Sequence, residues 1–198
     1  MSSFIHAQKE IQFDCTSHQL TEGYEISTLR FYVSNIQVKS TDGRWYSDQV
    51  DAHLIDKEVP SSWTISLVDC PKNMDIDSVV FVLGTDSLTN VSGILDGDLD
   101  PIKGMYWSWN SGYINVKVEG KEQVTNTAFE YHLGGYLPPF STAREIRLKT
   151  STANSLRISV DVSRFLKNAK VEERLEVMIP GPDASKLSSH LSTCFSIN

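Results

Sequence analysis

Alternation of apolar and polar residues recurs along almost the whole chain, and a period of two admits few architectures. Residues 29–39 carry it furthest. Leu29, Phe31, Val33, Ile36 and Val38 are apolar, and the slip between Val33 and Ile36 predicts a bulge or bend at Ser34 and Asn35. Asp42 and Gly43 mark a hairpin turn before Arg44, Trp45 and Tyr46. The same pattern runs through residues 11–13, 63–68, 112–119, 128–133, 145–149 and 156–162. Residues 79–83 form a short continuous apolar run, as a central strand requires. Helical signals are few: 162–168 with Ser163 as a cap, 183–190 capped by Asp183, and a single turn at Asp100 and Pro101. Eight or nine short strands separated by turns predict an all-β chain. The expected fold is an antiparallel two-layer β-sandwich, immunoglobulin-like or Greek-key, with long loops and one or two short helices. The longest loop covers residues 84–111, and loops of that length are usually functional.

The 198 residues suit one domain with a core that needs no staples. A net charge of −7 argues against a nucleic-acid partner. No run approaches the roughly 20 apolar residues of a membrane span. Cys15, Cys70 and Cys194 are far apart in sequence, so no CxxC motif exists, and an odd count permits at most one internal disulfide with its partners open. Residues 2–8 are mildly apolar and end in Ala7 and Gln8, like the tail of a secretory signal peptide. On that reading Met1 is internal to a longer precursor cleaved near Gln8. Residues 1–8 are then a leader remnant and 9–198 the domain. The plainer reading is an ordinary cytosolic N-terminus.

Residues 104–113 hold two of the four Trp, two of the seven Tyr and one of the four Met, with no charge. Such a segment either plugs a core or builds a site from soft, oxidisable side chains.

Residues 29–36, His53 to Asp56, Leu99-Asp100-Pro101 running into the aromatic segment, and Phe129-Glu130-Tyr131-His132-Leu133-Gly134-Gly135 together resemble the MbnP-like family. The resemblance spans residues 10–150, and the aromatic segment and the Tyr-His-Leu-Gly-Gly motif are its most specific parts. It implies a periplasmic or surface β-sandwich linked to copper handling and methanobactin operons. It also implies, for some members, a Trp oxidised to kynurenine by a MauG-type di-haem partner, which then helps to form a copper site with His. Whether Trp107 or Trp109 is the modified position stays open.

On that basis the candidate metal residues are His132, His53, Met105, Trp107 and Trp109, with copper, Cu(I) favoured, as the ion. His132 stands before two glycines where the backbone can turn sharply, and imidazole suits either copper oxidation state. Its plainer role is a strand-edge hydrogen bond. His53 shares a strand face with Ile55, and Asp51 and Asp56 are at hand to orient its ring; otherwise it is a surface His. Met105 offers a thioether that favours Cu(I), and Tyr113 joins the soft cluster; the plainer role is a core plug. His6, His18 and His190 are weaker, Cys15 and His18 forming half a metal motif without its second half. Asp96, Asp98 and Asp100 alternate, but counting from Asp96 puts Pro101 at the position where a calcium loop needs Gly, so a solvated turn is expected. No nucleophile elbow, phosphate loop or HExxH motif occurs, and the chain reads as a non-catalytic binding protein. The competing function is a metal-free module that uses the Trp/Tyr-rich loop to hold a carbohydrate or a protein segment.

Overall fold

The computed structural model describes residues 8–15, 23–110, 112–153 and 156–197. Two sheets face each other. The smaller is ordered β13-β11-β1-β5 and uses β1 (Gln8–Cys15), β5 (Thr64–Pro71), β11 (Leu156–Val160) and β13 (Phe195–Ile197). The larger is built around β2 (Tyr24–Ser40), with β3 (Trp45–Ser47), β4 (Ala52–Asp56), β6 (Ile76–Leu83), β8 (Gly112–Glu122), β9 (Ala128–Gly134), β10 (Arg144–Ala153) and β12 (Glu176–Val177). The short β7 (Tyr106–Trp107) pairs with the start of β8. Among the described residues there are three α-helices, α1 (Ser87–Val91), α2 (Val162–Ala169) and α3 (Pro182–Ser192), besides short 3-10 turns.

The fold is the expected all-β sandwich. Two of its pairings, β1 with β11 and β9 with β12, are parallel rather than antiparallel, which the long intervening chain allows. The slip in β2 is a bulge in which Asn35 takes φ 50°, and the register against β6 shifts between Ser34 and Gln37. Asp42–Gly43 closes the β2–β3 hairpin with Gly43 at φ 91°. The helix caps are displaced from those expected. Asp161, not Ser163, accepts from the Arg164 amide to start α2, and α3 opens on Pro182 with Asp183 inside its first turn, paired to Arg174.

The core lies between the sheets, where Phe13 and Phe195 of the smaller sheet interlock edge-to-face with Phe31 and Phe81 of the larger. The opposite, outer face of the larger sheet carries a second, smaller apolar cluster. Its origin is a break in the sheet. Val33 is flanked by His53 on one edge and Leu83 on the other, and Phe31 by Ile55 and Val116. β6 and β8 therefore run end to end along one edge of β2. β10 and β9 repeat the arrangement one strand further out, with Arg144 opposite Leu83 and Gly134 opposite Ile114. The chain leaves the sheet twice along this line, as residues 84–110 and as residues 135–143.

Candidate functional site

The first excursion folds back over the outer face. Tyr32 and Tyr113 stand beneath it in edge-to-face contact, 5.9 Å between ring centres. The Tyr32 hydroxyl donates to the Asp98 carbonyl; the Tyr113 hydroxyl donates to the Gly93 carbonyl and accepts from the Leu95 amide. Burial above all, reinforced by neighbouring Tyr113 and Asp98, holds the Tyr32 hydroxyl neutral far above its ordinary range. Met105 and Trp107 pack into the same cluster with Leu54 and Leu99. Trp109 lies in the turn after β7 and is 62 % exposed against 6 % for Trp107, yet the two indoles touch, 5.4 Å between centres.

A buried polar knot fixes both excursions where they leave the sheet. Asn115 Oδ1 accepts from the amide and hydroxyl of Thr85, and its Nδ2 donates to Thr142 Oγ1. Asn90 donates to Thr85 Oγ1 and accepts from the Tyr113 amide. Thr142 in turn bonds Gly135 through both amide and hydroxyl. Between the excursions opens a hollow of about 250 Å³, lined by Trp107 and Asn110 from the first, by Tyr136, Leu137 and Phe140 from the second, and by Pro180.

His132 shares the outer face, since Phe129, Tyr131 and Leu133 alternate into the core. It is 7 % exposed, and its Nε2 lies 2.7 Å from Glu119 Oε1. Glu119 also accepts from Thr28 Oγ1 at 2.7 Å and pairs with Lys117 at 3.4 Å. Partial burial pushes the Glu119 carboxyl up, but the bonds from Thr28 and His132 and the Lys117 charge outweigh it and hold it below the usual range. Two residues on, Gly134 receives the Trp107 ring. His53 faces the other way, with Ile55 toward the core, and its Nε2 meets Asp48 at 2.5 Å. β4 and β9 are three strands apart across β2 and β8, about 14 Å at the usual strand spacing.

The family model for MbnP matches residues 3–179. The chain belongs to the MbnP family. Among solved structures, MbnP from Methylosinus trichosporium superimposes with a TM-score of 0.55 at 12 % identity, covering 80 % of this chain and 77 % of that one. At that identity the likeness is one of fold. No curated protein sequence matches the chain.

In this MbnP-family chain His132 and Trp107 share the outer face, the Trp107 ring resting on Gly134 two residues from His132 and touching Trp109, with Met105 sealed in the same cluster as Trp107. His53 is not brought to them: it lies on the opposite face, several strands away. Among the described residues no three His, Cys, Asp or Glu side chains cluster as a metal cage. The acidic turn is accounted for structurally, Asp98 accepting from the Leu54 amide and Asp100 from the Ile102 amide. His6 and His18, with residues 1–7 as a whole, lie outside the described residues. His190 sits on α3 with its Nδ1 buried and unpartnered. Cys70 and Cys194 are buried free thiols, and no helix among the described residues is long and apolar enough to cross a membrane.

Sequence reasoning passed over Asn115, Asn90, Thr142 and Arg144. The Arg144 guanidinium spends its donors on neutral partners, namely the carbonyls of Ser141, Ala143 and Ser185 and the hydroxyls of Ser185 and Ser189, and so ties the second excursion to α3.

Proposed function

We propose that this MbnP-family chain is an extracytoplasmic copper-binding protein that acquires or carries copper without turnover. The observation that carries the reading is that Trp107, in contact with Trp109, seats its ring on Gly134, two residues along β9 from His132, whose imidazole is held by the Glu119 carboxylate. A carboxylate on one ring nitrogen orients an imidazole and raises its basicity for a metal at the other. With Nε2 engaged, Nδ1 is the coordinating atom. The donor set fits a soft ion of low coordination number, Cu(I), and not one that demands a four-donor cage. His53 takes no part in it.

The second donor comes from the indole pair, oxidised to kynurenine by a di-haem partner. Exposed Trp109 is the ring that a partner enzyme reaches first, and its contact with Trp107 lets oxidation pass inward. Copper is the cargo, and the chain's own residues hold and shield it. Mass spectrometry of protein from its own host is expected to show a copper adduct and an altered mass on the peptide containing Trp107 and Trp109. Protein that stays unmodified and fails to take up copper overturns the proposal.

A further inference from the structure

The geometry points to a second ligand site, for one neutral sugar ring, in the hollow between the two excursions. It goes beyond the copper reading, shares only Trp107 with it, uses neither His132 nor Glu119, and stands if that reading fails.

The lining sets the chemistry. None of its described lining residues carries a carboxylate, ammonium, guanidinium, imidazole or sulfur group. A metal ion or charged metabolite would enter without a compensating charge, which is costly away from water. The apolar walls are the Trp107 indole, Phe140, Leu137 and Pro180, surfaces that suit the C–H face of a pyranose. Among them stand the Asn110 amide, with donors and an acceptor, and the Tyr136 hydroxyl, which serves as either. Gly135 stands at φ 118°, and a Cβ there would come within 3.0 Å of Pro180, so glycine lets the second excursion approach Pro180 closely. Apolar faces with a few convergent neutral hydrogen-bonding groups discriminate a polyhydroxylated ring from a hydrocarbon ring. At about 250 Å³ the hollow lies just below the roughly 300–1,000 Å³ of sites that take drug-sized ligands, which leaves room for one ring.

The hollow is also built to stay open. Its first wall is tied to the second by Asn115 and Thr142, and the second to the α3 end by Arg144 and by the Ser185 hydroxyl on the Ser141 carbonyl. Walls from three parts of the chain, held by separate buried and half-buried ties, form a preorganised site rather than a gap between loose loops.

The test is tryptophan emission during titration with the methyl glycosides of glucose, galactose, mannose and N-acetylglucosamine, and with cyclohexanol as an apolar ring of similar size. At least one glycoside is expected to give a saturable change in the millimolar range, and cyclohexanol none. Asn110→Ala and Tyr136→Ala should each weaken that binding about tenfold or more, about 1.4 kcal/mol, with the melting temperature and copper uptake unchanged. His132→Ala should leave the sugar affinity as it was. Asn110 is exposed, so its variant keeps the fold. Absence of saturable binding by all four glycosides, equal binding of cyclohexanol, or full affinity in both hollow variants overturns the assignment.

Discussion

The Trp107 indole rests on Gly134 so closely that a Cβ at Gly134 would fall 2.5 Å from the ring and 2.7 Å from the Tyr113 carbonyl oxygen. Gly134 is therefore required by contact rather than by a turn. It lets the excursion seat its ring on the sheet two residues from His132. Gly134→Ala forces the ring or the strand to move, and overpacking of this kind costs about 1–3 kcal/mol. In a chain of this size that lowers the melting temperature by roughly 2–4 °C per kcal/mol. Thermal melting and the tryptophan emission maximum read the change together, and an unaltered value of both would show the ring to be seated elsewhere.

Asn115 joins the two excursions through three hydrogen bonds inside the protein. Asn115→Ala strands the Thr85 amide and hydroxyl without their acceptor, at about 1–3 kcal/mol for each buried group left unpaired. The loosening should be local. Hydrogen exchange is expected to accelerate in residues 84–110 and 135–143 while β1, β5 and β11 keep their protection. Uniform acceleration through both sheets would assign Asn115 to global stability instead.

Burial pushes the Cys70 and Cys194 thiols up, weakly opposed by the Lys9 and Arg164 charges respectively. Each is a neutral, poorly nucleophilic thiol in the folded chain. Alkylation at pH 8 should be slowed by roughly tenfold or more relative to urea-unfolded protein. Because the folded values are raised, this contribution to stability is complete below the unfolded thiol pKa of about 8.5 and is lost as pH rises through the folded values. Denaturation midpoints should fall above that pH, and less steeply in Cys194→Ala; an identical slope in the variant contradicts the assignment.

The strands were legible because alternation is local: the bulge at Asn35, the Asp42–Gly43 turn and the central position of β6 all follow from residues within a few positions of one another. β7, β12 and β13 span only two or three residues, too few to display a period. Alternation also places His53 with Ile55 and against Leu54, as the structure has it. What it does not contain is sheet order, which sets β4 and β9 apart and sends His53 and His132 to opposite faces. The ring-rich segment stood out by composition, but only the folded excursion decides that Met105 and Trp107 are sealed while Trp109 is exposed. Asn115 was hidden for a related reason. In a strand pattern a buried, fully bonded Asn reads the same as outward-facing Lys117 two residues later.

Copper binding by His132 is tested by titrating purified protein with Cu(I) against a competing chelator, comparing the native chain with His132→Ala and His53→Ala. One copper per chain is expected for the native protein and for His53→Ala, with binding lost in His132→Ala. A native chain that takes no copper from the chelator, or a His132→Ala variant that binds as the native does, contradicts the account.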